Sequence, residues 1–312
     1  MIDIVYWINL QRSPERRKHM NTVFKHPFFV NKRIERIEAH DGKTENVLDW
    51  FSIKGKRITL ENLQKSFVGT IIDWFNREQI KKDREERRAK YDQLDPLEKI
   101  KYCNGRLSLG EYACTLSHLE TIRRFSTSPH DIALILEDDT TMDYAKYWRK
   151  SIDKVINEAP VDWEIIQLSY ISNNHVFNDL YTKNENNDFL DDSLDAYSTG
   201  SYIINKSAAI KIINKLFKEE GRYCLDHTYH HVADFLLYGL LRTYIYKFPY
   251  FTYRTHNDSL LHPDHLSSHI RSKKYITESY DKMLRLPQQN YRINWINVVI
   301  IILYFPSKTI WV

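Results

Sequence analysis

One stretch constrains this chain more than any other. Ile132-Ala133-Leu134-Ile135-Leu136 is an unbroken apolar run that stops at three carboxylates, Glu137-Asp138-Asp139. A run of this length with no polar alternation predicts a strand buried on both faces. Such a strand lies between helical layers, which is the arrangement of α/β proteins. In open α/β sheets, ligands bind beyond the carboxyl ends of the strands. Three carboxylates gathered there repel one another unless a cation or solvent intervenes. Hard cations such as Mg²⁺ or Mn²⁺ take oxygen ligands and commonly share them with a substrate's phosphates. Alternate residues of an extended strand share a face, so Glu137 and Asp139 are the paired candidate ligands. The competing reading is a solvated strand end with one carboxylate capping the next helix.

The flanking segments agree with an α/β order. Residues 2–8 form an apolar run ending at Asn9, a second buried strand. Ser13-Pro14-Glu15 then reads as a helix start, with Ser13 as N-cap and Pro14 at the first helical position. Residues 34–38 read as a short strand before the Asp41-Gly42 turn. Ser108-Leu109-Gly110-Glu111 is a capping box opening a helix to about Arg124. Further on, a helix is expected over 143–158 and a strand over 164–169. A brief strand follows at 202–204, then an amphipathic helix over 207–220 with Gly221 as its C-cap. A helix over 229–241 and a strand over 243–248 complete the pattern. The expected fold is α/β with a mostly parallel sheet.

Residues 43–105 differ in character. Trp50, Phe51, Trp74 and Phe75 are scattered among polar residues, and nearly every position from Arg77 to Lys90 is charged with mixed signs. This stretch reads as an insertion or lid carrying a solvated helix. The apolar stretch Trp295 to Phe305 is too short for a standard membrane span. It reads as a buried strand or terminal helix, with a membrane-surface contact or self-association as the alternative.

Composition excludes several classes. A chain of 312 residues with 42% apolar residues has ample material for a core and is not disordered. A net charge of +4 is nearly balanced, so no nucleic-acid partner is expected. Cys103, Cys114 and Cys224 leave at least one thiol unpaired, and their spacing matches no zinc pattern. With an N-terminus that reads as a strand rather than a signal peptide, a cytoplasmic or cytoplasmic-face location is expected.

Read together, the segments resemble glycosyltransferase family 25, which includes bacterial lipooligosaccharide and procollagen galactosyltransferases. Tyr6-Trp7-Ile8-Asn9-Leu10-Gln11-Arg12-Ser13-Pro14-Glu15-Arg16-Arg17 resembles the family's opening "INLxRSxxR". Ala39-His40-Asp41-Gly42 is similar to its "AxDG" turn, and Gly110 to His118 to its "GExGCxLSH" helix. Leu136-Glu137-Asp138-Asp139 resembles "LEDD", Thr199 to Ile204 "GxxxYxI", and Val232-Ala233-Asp234 "PVD". These blocks cover roughly 1–42 and 107–250 in family order. Tyr112-Ala113 stands where Ile-Gly is more usual, and Ala233 lacks the preceding Pro.

The resemblance implies a GT-A-like, Rossmann-related mixed sheet with helices on both faces. It implies a UDP-sugar donor, Mn²⁺ or Mg²⁺, and transfer of galactose or glucose with inversion to a glycan or protein hydroxyl. The catalytic domain is then 1–270, with 43–105 inserted and 271–312 a C-terminal extension. Asp139 and Glu137 are the expected metal ligands. Asn9 and Leu10 would hold the nucleotide through backbone groups, Arg12 would reach phosphate, and Asp41 would meet uracil or ribose. Ser117 and His118 would face the donor sugar, while Arg16 and Arg17 read as surface charges. Asp234, in an apolar helix that should raise its pKa, is the candidate general base, with Asp226 its rival. His256, His262, His265 and His269 read as a polar loop, one of which could complete a metal shell.

Two other functions compete. A nucleotidyltransferase also uses strand-end carboxylates, but would carry a Gly-rich phosphate loop that the stretch after Ile8 lacks. A non-catalytic family-like protein binding glycans or partners through 43–105 is the other.

Overall fold

The computed structural model describes residues 1–53, 56–57, 93, 107–171, 187–191, 196–218, 220–226, 228, 230–255 and 266–280. The strands are β1 Ile4–Asn9, β2 Arg33–Glu38, β3 Phe51–Ile53, β4 Lys56–Arg57, β5 Ile132–Glu137, β6 Thr140–Thr141, β7 Ile165–Gln167, β8 Phe189–Asp191, β9 Ser201–Asn205, β10 Tyr223–Cys224, β11 Thr243–Tyr246 and β12 Thr252–Tyr253. The helices are α1 Pro14–Val23, α2 Leu109–Ser126, α3 Ile152–Glu158, α4 Lys206–Leu216 and α5 Ala233–Leu240. A sixth, α6, spans 266–280.

Seven strands form the main sheet in the order β2-β1-β5-β9-β7-β11-β8. β2, β1, β5, β7 and β11 run one way, while β9 and β8 run against them. The sheet is therefore mixed and mostly parallel, as a Rossmann-like α/β fold requires. The direction of β9 could not be read from sequence, because a strand buried on both faces has the same pattern either way up.

Strand alternation sorts the core into two layers. Tyr6, Ile8, Ala133, Ile135 and Tyr202 face α2, α4 and α5, meeting Leu116, Leu119, Ile212 and Leu236. Val5, Trp7, Leu134, Leu136 and Ile203 face the other way, onto Met20 of α1, Val155 of α3 and Ile276 and Tyr280 of α6. Helices thus cover both faces, and the apolar runs are explained by two-sided burial. Because α6 supplies core residues, the chain between 266 and 280 is part of this packing.

Several local expectations are corrected. The helix expected over 143–158 is broken. A 3₁₀ turn, Ala145–Tyr147, is followed by extended Trp148, and α3 starts only after Ser151, whose hydroxyl accepts from the Lys154 N–H at 3.3 Å. Trp148 is held out of the helix by its indole N–H, which donates to the Tyr250 carbonyl at 2.9 Å. Helix α4 ends at Leu216, so Gly221 does not cap it. Gly221 takes φ +74° in the turn before the Phe217–Tyr223 bridge, where a side chain would be strained. Ser13 precedes α1 but makes no side-chain cap.

The start of the 43–105 stretch is core rather than appendage. Val47, Leu48 and Phe51 are buried against α2, and β3 pairs with β4 and β10 in a small second sheet. The charged helix expected over 77–90 lies outside the described residues, as do the apolar stretch 295–305 and His256, His262 and His265. No helix among the described residues is long and apolar enough to cross a membrane.

Candidate active site

The C-terminal ends of β1 and β5 open onto a cleft of about 1120 Å³. Its walls come from the β1–α1 loop, the 39–43 turn, α2, the end of β5, the 197–200 loop, the start of α5 and α6. Asn9, Leu10, Arg12, Asp41, Ser117, His118, Glu137, Asp139 and Asp234 all line it. Nine positions chosen along 226 residues of sequence therefore meet in one place; Asp226 does not, being exposed and outside the lining.

The three carboxylates have different surroundings. Asp138 turns inward, where the Asn9 side-chain amide donates to it at 2.6 Å and Arg16 forms an ion pair with it. Glu137 accepts from the Thr199 hydroxyl at 2.8 Å and lies 3.3 Å from His118 Nε2. Burial opposes its charge, but those hydrogen bonds and the Arg16 charge outweigh burial and hold it below the ordinary glutamate range. Asp139 gains less from hydrogen bonding, the contribution of its own backbone N–H being the smallest of the influences on it. Burial and the adjacent Glu137 and Asp138 raise it to about 7 against the pull of Arg16. Asp139 is thus a carboxylate whose charge the protein alone leaves poorly compensated. Together with the oxygen of Glu137, that donor set fits a hard divalent cation.

Arg16 is the residue that sequence reading missed. It is no surface charge, because only 13% of its side chain is exposed. Its place follows from α1 starting at Pro14, as expected, which puts position 16 in the first turn, within reach of Asp138 at the end of β5. Arg17 instead donates to the Leu10 and Gln11 carbonyls at 3.3 and 2.7 Å, closing the β1–α1 loop.

The other expected site residues also bond within the protein. Asn9 is 1% exposed, and its side chain bonds Asp138 and Arg36, so that side chain positions a carboxylate at the cleft wall. Arg12 is engaged by Asp41, to which its Nε donates at 2.5 Å. Burial slightly opposes the charge on Asp41, but Arg12 and the Lys43 N–H keep its carboxyl below the usual range. Ser117 donates to the Ala113 carbonyl at 2.7 Å and accepts from the His40 N–H at 2.9 Å, tying the 39–43 turn to α2. Gly42 completes that junction: a Cβ there would lie 2.4 Å from the Leu109 carbonyl oxygen. The capping box is present as expected, with Ser108 N–H donating to Glu111 at 2.6 Å.

Asp234 sits in the first turn of α5. It accepts from the N–H groups of Ser198 at 3.1 Å and Phe235 at 2.8 Å. Burial raises its pKa despite those bonds, and the negative Glu137 adds to the rise. Its partner Ser198 has φ +105°, an unfavourable conformation for a residue with a side chain. The Tyr238 hydroxyl and the Gln167 amide, at 2.7 and 3.1 Å, hold the Ser198 carbonyl in that conformation. Phe235, beside Asp234, is 45% exposed, although it is a large apolar ring. His269, expected in a loop, is on α6 and lines the cleft.

The large, mostly parallel sheet with an acidic strand end facing the cleft is consistent with a Rossmann-like glycosyltransferase fold. The sequence profile of glycosyltransferase family 25 (LPS biosynthesis protein) matches residues 2–229, and the chain belongs to that family. A relative from Drosophila pseudoobscura pseudoobscura, described as "Glycosyltransferase 25 family member", is 25% identical over 167 residues. That match covers 53% of this chain and 20% of the relative's length. The family match stops short of Asp234, whose place rests on the geometry above.

Proposed function

We propose that this chain transfers a hexose, galactose or glucose, from a UDP-sugar to a hydroxyl of a glycan or protein, with inversion, on a GT-A-type sheet. The observation carrying this reading is that Asp139 and Glu137 end β5 in the same cleft that Asp234 lines. A cleft of about 1120 Å³ is large enough for a nucleotide sugar with an acceptor beside it.

In this reading Asp139 and Glu137 hold a divalent cation, Mn²⁺ or Mg²⁺, which when bound neutralises charge on the departing diphosphate. Arg16 adds fixed positive charge to the same corner. Asp234 accepts the proton of the acceptor hydroxyl as its oxygen bonds to the anomeric carbon. The bond from that carbon to the diphosphate breaks on the opposite side, which inverts the centre. A raised pKa suits this role, because a base works best when its pKa approaches the working pH. The exposed ring of Phe235 offers the acceptor sugar an apolar face to lie against.

The test is UDP release from UDP-galactose or UDP-glucose with Mn²⁺, with and without a chelator. Metal-dependent release abolished in Asp139→Ala is expected. Pyrophosphate formation from UTP and a sugar phosphate, without UDP release, would overturn the reading.

A further inference from the structure

We propose that Cys114, His118 and Glu137 form a zinc site on the wall of the cleft, which shares Glu137 with the oxygen pair at the end of β5 but adds sulfur and nitrogen ligands to it. Cys114 and His118 are four residues apart on α2, so they share one helix face. Glu137 meets them from the end of β5, and the sulfur, ring nitrogen and carboxylate oxygen all lie within 4.8 Å of one another. His118 Nε2 and Glu137 Oε1 are 3.3 Å apart. Two ligands bonded at about 2.0 Å to a tetrahedral zinc stand roughly 3.3 Å apart, so this pair already has the required separation.

The surroundings fix the ligands as a metal site requires. The Tyr202 hydroxyl, 3.1 Å from His118 Nδ1, orients the ring so that Nε2 faces Glu137. The Thr199 hydroxyl orients the Glu137 carboxylate. His118 is 1% exposed, so its ring has little freedom to leave. A thiolate with an imidazole selects zinc over manganese or magnesium, which prefer oxygen. Three protein ligands leave a fourth position, and all three residues line the cleft, so that position is open to water or a ligand. Zinc uptake releases the Cys114 proton to solvent. The site escaped sequence reading because its third ligand comes from another element. Cys-x₃-His alone is not a zinc signature.

The experiment is a titration of the chelator-treated protein with Co²⁺, then Zn²⁺, without any nucleotide sugar. One equivalent of Co²⁺ should give a thiolate-to-cobalt charge-transfer band that Zn²⁺ removes. Cys114→Ser should lose the band and weaken zinc binding on the order of 100-fold. Asp139→Asn should keep both. Cobalt uptake without the band overturns the proposal, as does wild-type zinc affinity in Cys114→Ser. Loss of the band in Asp139→Asn also overturns it, since the ion would then belong to the oxygen site. If Cys114→Ser does not fold, as judged by circular dichroism, His118→Gln replaces it under the same criterion for zinc affinity. Since no donor is present, failure here is distinguishable from failure of the transferase reading.

Discussion

Arg16 of α1 and Asp138 at the end of β5 form an ion pair with only 13% and 8% of their side chains exposed. Water screens such a pair poorly, so removing one partner strands the other. Arg16→Met should cost about 3 kcal/mol in urea unfolding. The double change Arg16→Met with Asp138→Leu should recover part of that loss, because it leaves no buried charge behind. Equal stability in wild type and Arg16→Met would mean that the pair is solvated.

The pH dependence of stability should carry the signature of Asp139. Its carboxyl is raised from 3.8 to about 7 in the folded protein. Between those values the unfolded chain has lost the proton and the folded chain still holds it. The metal-free protein should therefore lose stability as pH rises from about 4 to about 7, then level off. Asp139→Asn should remove that decline, seen as a flatter plot of urea midpoint against pH. Adding Mn²⁺ near pH 8 should stabilise the wild type more than this variant.

How much of this could be read in advance follows from the kind of signal each residue leaves. Ile132 to Asp139 declared both a buried strand and its acidic end, because two-sided burial and charge are written in composition. The capping box at Ser108 and Glu111 was equally plain, since it is a local contact three residues long. Arg16 was not, because its meaning lies in a partner beyond a hundred intervening residues. For the same reason the protein partners of Asn9, Ser117 and Arg12 could not be read from the sequence. Their hydrogen bonds in fact go to Asp138, to His40 and Ala113, and to Asp41. Sequence located these groups; only the fold shows which of their bonding positions the protein already uses.

Gly42 tests how tightly the 39–43 turn must sit on α2. A Cβ added there would lie 2.4 Å from a backbone oxygen of Leu109, which cannot rotate away. Gly42→Ala should cost on the order of 2 kcal/mol by forcing the turn and the helix apart. The Arg12–Asp41 pair moves with the turn, so donor affinity should fall as well. An alanine variant with wild-type stability and affinity would show that the turn is not held this close.

Asp234 and Phe235 are adjacent in α5 but should fail differently. Asp234→Asn should lower kcat by about 10² to 10⁴ and leave the donor KM nearly unchanged, since the amide keeps the shape but cannot take a proton. In the wild type the acid limb of kcat against pH should lie above the ordinary carboxylate range, because burial raises this group. Activity then falls as pH drops through that raised value and the base becomes protonated. The variant's residual rate should lack the limb. Phe235→Ala should instead raise the acceptor KM roughly fivefold, the equivalent of about 1 kcal/mol of ring contact, with donor hydrolysis by water unaffected. Phe235→Tyr should restore it. A common fall in kcat for both variants would point to displacement of α5 as a whole and take the proton-accepting role away from Asp234.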